Sequence, residues 1–403
     1  MNIPEPPSRS LDRNVMTDFK RVDIETEYVA SLCWHGDRLL DVLGLGRTYH
    51  LDGTMLAPQI TRGYAYKWDS VISHGRYALL YEAHGTKGLL VDLERSSDIR
   101  ELNRPYYHAS DYHFPVTLFT LPDGRDVIAH CPTEYCALDI EDILSEERLT
   151  KRDYKPDDIF HSNLAASLDG RYLLDRGWVW QPVNVLCVYD VERALKEPGH
   201  LDGDGIMLPY SSARAWEPET AAFCGHKLVY SSFLEGNYEG EEPETNFEII
   251  PAEPGVPEKT TEDDGTKVRR VVASELSITD ADGKPVDLGD TRKNPPDTRF
   301  LLQVFDLDSK TLLSTRAMPE FVGRMMPVGD SHIVSFYDYP KLIEIETGKV
   351  VHRWEDLVPG PEVFQPSVMM KGPGKHHLAL DPANRRFAVG DNGKVTIISL
   401  KDI

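Results

Sequence analysis

One phrase keeps returning along this chain: a tight turn followed by a short apolar run. It reads SLDGRYLLDRGW at residues 167–178, and close versions stand at HGDRLLDVLG around Gly36, HGRYALLY around Gly75 and PDGRDVIAH around Gly124. Looser copies follow at CGHKLVYSSF around Gly225, VGDSHIVSFY around Gly329 and DPANRRFAVGD around Asn384. The seven copies are separated by 39, 49, 46, 55, 104 and 55 residues. Self-similarity at such a period is the signature of a fold assembled from one repeated supersecondary unit, and it constrains the architecture more than any bulk property.

A second phrase follows each turn, an alternating run that ends in an acid. It appears as GLLVDLE (Asp92), YCALDIE (Asp139), LCVYDVE (Asp190), LQVFDLD (Asp306) and LIEIETG (Glu344); the first unit offers His50 or Asp52, and the last, VTIISLKD, has no acid in register. Alternation of β-branched and aromatic residues with polar ones is the period of a strand. A terminal Asp suits a turn in which its carboxylate accepts from the backbone just ahead. Each unit therefore reads as four antiparallel strands, the blade of a β-propeller. The expected fold is an all-β, seven-bladed propeller. Its last blade holds HHLALDP, RRFAVGD and KVTIISL, and residues 19–24 (FKRVDI) supply the missing outer strand, which closes the ring and leaves no long unpaired edge.

The ends of the third strands resemble the WD40 and YVTN-type repeat families, in which that strand finishes on a Trp-Asp or Tyr-Asp pair. VYD at 188–190 and VFD at 304–306 stand at that place. The resemblance extends over nearly the whole chain and implies the same seven-bladed ring.

Three divisions follow: a flexible arm over 1–18, one propeller over 19–403, and an insertion over 235–298 that accounts for the long gap in blade five. The insertion holds 17 acids and 7 bases, a net charge of −10 out of the chain's −22. Its first half is rich in Glu and Pro, a composition that buries little. Its second half, KVRRVVASELSITDADGKPVDLG, reads as a hairpin about Asp282-Gly283.

The charge excludes a nucleic-acid partner, because phosphates would meet a repulsive field. No apolar stretch reaches the roughly 20 residues that span a bilayer, so no membrane partner is expected. The N-terminal MNIPEPPSRSLDRNVMT lacks the apolar segment of a signal peptide. Cys33, Cys131, Cys136, Cys187 and Cys224 are scattered among apolar runs, the pattern of buried reduced thiols. The expected location is the cytoplasm.

No phosphate loop, nucleophile elbow or HExxH motif is present, so position must stand in for motif. Counting back from each turn to the start of the innermost strand gives Asp69, Asn163, Glu219, Arg324 and His377, with Trp68, His113, His161, Trp216 and His376 beside them. These are the binding candidates at the channel face. Polar groups there also satisfy the backbone where inner strands begin. Of the adjacent pair His376-His377 only one can face the channel, since neighbours on a strand point to opposite sides. Trp178 and Trp180 share a strand face and are expected to pack between blades.

The functional expectation is a non-catalytic platform for another protein, a basic one, with no cofactor. A second reading is a metal-dependent lactonase or hydrolase with a divalent metal in the channel among Asp69, Asn163, Glu219 and His377.

Overall fold

The computed structural model describes residues 19–401 except 45, 58–65, 67, 157, 180–182, 204, 207–217, 235–298, 360–376 and 392. The strands form seven separate antiparallel sheets, five of four strands and two of three. The innermost strands are, in order, Cys33–His35, Ser70–His74, Val116–Thr120, Ala165–Ala166, Pro218–Cys224, Met325–Val328 and His377–Asp381. Each sheet packs only on the sheet before and the sheet after it. The core is accordingly a ring of seven clusters, one per pair of neighbouring sheets, with the seventh sheet packed on the first through Ile24, Ala388 and Val395 against Trp34, Leu39 and Tyr49.

The chain is a seven-bladed β-propeller.

The second strand of each blade shows why the repeated phrase is so apolar. In Tyr77–Tyr81, Leu79 faces blade three while Ala78 and Leu80 face blade one. Both sides of the strand are buried, so alternation gives way to a near-continuous apolar run. The turn ahead of it is equally determined. Gly36, Gly75, Gly124, Gly170, Gly225 and Gly329 all have positive φ, between +54° and +90°, where a Cβ is disfavoured. In blade seven the left-handed residue is Arg385, next to the expected Asn384.

Ring closure follows the sequence expectation. Phe19–Glu25 pairs antiparallel with Lys394–Leu400, Phe19 opposite Leu400 and Glu25 opposite Lys394. The Thr396 hydroxyl donates to Asp23 Oδ1 at 2.6 Å across this seam. In blade five Leu234 pairs with Arg299, so segment 235–298 joins the second strand to the third. The segment itself, with its expected hairpin, lies outside the described residues, as do the expected arm 1–18 and Trp180.

Two strand expectations need correction. Asp139 does not end the third strand of blade three; it begins it, in Asp139–Asp142. The position opposite Tyr77↔Asp92 and Tyr172↔Asp190 is filled by Asp142, paired with Val127. Asp142 accepts from the amides of Leu144 and Ser145, just as Asp92 accepts from Glu94 and Arg95. Asp139 instead is buried against Arg148 and Arg152. Blades three and four, moreover, show no fourth strand among the described residues. After Asp190 the sequence VERALK forms a helix, Val191–Lys196, because the Asp190 carboxylate accepts from Arg193 N and Glu192–Lys196 and Arg193–Glu197 pair four residues apart. In blade three the chain returns with only a single bridge, Glu141 to Arg148. In blade one His50 holds the ladder position and Asp52 makes the turn, accepting from Thr54 N.

Candidate functional site

In an antiparallel blade every connection from the outer edge to the next inner strand emerges on the same face of the ring. These connections carry the chain to the channel mouth, and two buried carboxylates hold two of them. Asp41 accepts from the amides of Ala30, Ser31 and Gly44 and from the Ser31 hydroxyl. Asp175, at the matching position of blade four, accepts from Ser162 N at 2.9 Å and from His161 Nδ1 at 2.5 Å. Both end the apolar run, RLLD and YLLD, and both are fully buried.

A cavity of about 190 Å³ opens at the mouth. It is lined by Asp69, His113, Asn163, Arg176, Arg324 and His377 together with apolar residues of the inner strands. Five of the ten channel-face candidates thus meet around one space. Arg176 joins them, unforeseen, because it sits on a second strand and only its length brings the guanidinium inward. Its Nε and Nη2 donate to the Asn163 carbonyl at 2.8 and 2.6 Å, and Nη1 donates to the Ala221 carbonyl at 3.3 Å. Its donors end on carbonyls, so the charge is held in place without being neutralised by them. Asn163 has φ +47°, which turns its side chain toward the channel, and its buried Nδ2 has no hydrogen-bond partner among the described residues.

Several cationic groups lie near the mouth. His113 is pushed down to about 3, first by burial and then by the charges of His84, Arg324, Arg104 and Arg176. Burial and the charge of Arg324 bring Arg176 down to about 10. Arg104 is buried on the carbonyls of Gly85, Ala109, Tyr112 and His113 and stacks over Tyr112 at 4.5 Å. Asp69 is the one carboxylate lining the cavity among the described residues, and its Oδ1 already accepts from Ala83 N and the Ser70 hydroxyl.

Two candidates are not at the mouth. Trp68 packs between blades one and two, against Val42, Leu43 and Leu80; it precedes Asp69 directly and points the other way. His161 is buried between Asp175 and the Cys136 carbonyl, which Nε2 reaches at 3.2 Å, and so belongs to the loop clamp. Trp216 and His376 lie outside the described residues. Glu219 is in Pro218–Cys224 at the register shift between Pro218 and Thr220, and its side chain is likewise outside the description. Trp178 is buried, but it packs on loop residues and not between blades: it stacks on Phe160 at 4.1 Å and 9°, in a cluster with Tyr112, Tyr135 and Cys136.

The donor set among the described residues does not fit a divalent metal. Among the described residues no three His, Cys, Asp or Glu side chains are placed to share one, and two guanidiniums line the space such an ion would fill. All five cysteines are buried, with no disulfide among them.

The same face carries a feature the sequence reading passed over. Among the described residues the exposed tyrosines are Tyr28, Tyr66, Tyr106, Tyr107 and Tyr154, from 44% to 87% exposed. Every one lies in a connection between the outer edge of one blade and the inner strand of the next. Tyr107 rests, tilted by 40°, on Tyr135 at 4.8 Å, and below it Tyr135 stacks on Phe160 at 4.7 Å and Phe160 on Trp178.

No protein-family model matches the chain, and no curated protein matches it in sequence. Among solved structures, a chain of the crystal structure of the mitotic checkpoint complex is similar, with a TM-score of 0.48 at 12% identity over 100% of both chains. The β-propeller domain of Cps50 (Swd1) from Myceliophteria thermophila is similar with a TM-score of 0.44 at 12% identity, over 95% of this chain and 100% of that one.

Proposed function

We propose that the protein is a non-catalytic binding platform and that the face bearing the inter-blade connections receives a basic protein partner in the cytoplasm. The observation that carries this reading is that the exposed tyrosines among the described residues all stand in the connections that emerge on that face. Tyrosine offers a large, stiff, amphipathic contact surface at low entropic cost and is enriched among residues that dominate interface energies. The ladder beneath Tyr107 fixes one such anchor before a partner arrives.

Charge supports the sign of the partner. The acidic segment 235–298 is tethered between Leu234 and Arg299, at the ends of strands that open onto the same face. Its net −10 attracts a basic surface at long range.

The test is capture of the partner from the native cell with the full chain and with the Tyr106→Ala variant. Tyr106 is 87% exposed, so its truncation leaves stability within about 0.5 kcal/mol of the parent. The platform reading expects the partner to be basic and Tyr106→Ala to weaken it by about tenfold or more, as for an interface anchor. Equal affinity for Tyr106→Ala and for a Tyr106→Ala/Tyr66→Ala double variant would sink it.

A further inference from the structure

One patch of the tyrosine rim has a chemistry of its own. Tyr106 and Tyr107 follow each other in the connection from blade two to blade three, and both are exposed. Tyr107 is held by Tyr135 at 4.8 Å and by His108, in a T-shaped contact at 4.6 Å. His108 is fixed in turn, its Nδ1 2.6 Å from Asp111 Oδ2. Asp158 accepts from the Tyr135 hydroxyl, and Glu134, exposed, precedes Tyr135 in the chain. Three carboxylates, Asp111, Glu134 and Asp158, thus stand about these rings. Against them is the ammonium of Lys155, 5.2 Å over the Tyr135 ring. A tyrosine face attracts cations, and nearby carboxylates add to that attraction. The chain makes such a contact for itself in the same connection, where the buried Arg104 guanidinium stacks over Tyr112 at 4.5 Å and Phe114 at 5.1 Å.

We propose that the Tyr106–Tyr107 patch receives arginine side chains of the partner protein, a guanidinium laid on a tyrosine face with its N–H groups turned to the surrounding carboxylates. This assignment rests on the platform reading and names the group by which the basic partner docks. Arginine is preferred to lysine on two counts. The guanidinium is planar, so it stacks on a ring, and its fork of donors meets a carboxylate with two bonds. An ammonium is a compact, strongly hydrated charge and must give up water to reach the ring. Tyr135 is buried and already carries Lys155, which leaves the exposed faces of Tyr106 and Tyr107 to the partner.

The experiment uses the full chain and a labelled Gly-Ser peptide bearing several arginines, beside the same peptide with lysine or citrulline in their place, read by fluorescence anisotropy at about 0.15 M salt. The arginine peptide is expected to bind roughly threefold or more tightly than the lysine peptide. It is expected to bind about tenfold more tightly than the citrulline peptide, which keeps the planar shape without the charge. Tyr107→Phe keeps a ring face and is expected to stay within about twofold of the parent, whereas Tyr107→Leu removes the face and weakens the arginine peptide about fivefold. Equal binding of the arginine and lysine peptides overturns the assignment. Parent-like arginine binding in Tyr107→Leu and in Tyr106→Ala/Tyr107→Leu, each shown to melt like the parent, overturns it too. If the peptides fail to discriminate while a basic partner is still captured and still sensitive to Tyr106→Ala, the arginine assignment falls and the platform stands. If they discriminate and no basic partner is captured, the patch keeps its arginine preference and the platform reading falls.

Discussion

Two glycines in the same turn of neighbouring blades carry different loads. Gly124 has φ +90° and nothing within 4 Å of where a Cβ would stand, whereas at Gly170, with φ +69°, that Cβ would be 2.1 Å from the Thr120 carbonyl. The first needs glycine for its backbone alone; the second also needs it because blade four's turn sits on the end of blade three's inner strand. Gly124→Ala is therefore expected to cost about 1–2 kcal/mol, and Gly170→Ala about 3 kcal/mol or more, since overpacking adds to the left-handed penalty. Denaturant melts of the two variants decide it, and equal losses would mean the blade-to-blade contact is soft. The same turns made part of the site legible in the sequence. Counting back from them reached Asp69, His113, Asn163, Arg324 and His377 because inner strands are short and regular. It could not reach Arg176, whose Cα belongs to the next strand, and it misread Trp68 and His161. One residue of difference reverses a side chain's direction, and buried Asp175 was not foreseen as a partner for His161. The tyrosines were readable in principle: TEYVA, GYAYKW, RPYYHA and RDYKPD all stand between blades among polar residues, where a large ring finds no core to enter.

At the level of elements, the strand Phe19–Glu25 is the fastening of the ring. It covers the edge of Lys394–Leu400 along its whole length and buries Ile24 between the last blade and the first. Deleting residues 1–25 is expected to cost at least ~3 kcal/mol, the order of losing one buried Ile with its strand, while deleting 1–15 leaves the melting temperature near the parent's. Thermal melts of the two truncations compare them directly, and coincident midpoints would count against closure by this strand. Blade number and closure were legible because turns and apolar runs are local signals. That blades three and four show no fourth strand among the described residues was not, because a capping Asp190 with its i,i+4 pairs, and the burial of Asp139 against two arginines, redirect the chain after the third strand.

Across the whole molecule the acidic segment is a separable part. Leu234 and Arg299 already face each other at the end of a paired ladder, so replacing 237–296 by a short Gly-Ser linker shifts stability by only about 2 kcal/mol through loop entropy. Circular dichroism is expected to keep its β-rich form. With the partner in hand, the shortened protein should associate several-fold more slowly at low salt and like the parent at high salt, where charges beyond about 8 Å are screened. An unchanged low-salt association rate, or collapse of the fold, would remove the segment's proposed part in attraction. Ring closure has a further consequence, for how the molecule is made. Asp23 meets Thr396 across 373 positions of chain, and a ribosome adding about 5–20 residues per second needs ~20–75 s to deliver the second after the first. Through that interval the earliest strand has left the tunnel without its mate, and blade one stands beside an empty place in the circle. Until that pairing forms, the strand edges that Phe19–Glu25 and Lys394–Leu400 cover in the closed ring stay unpaired.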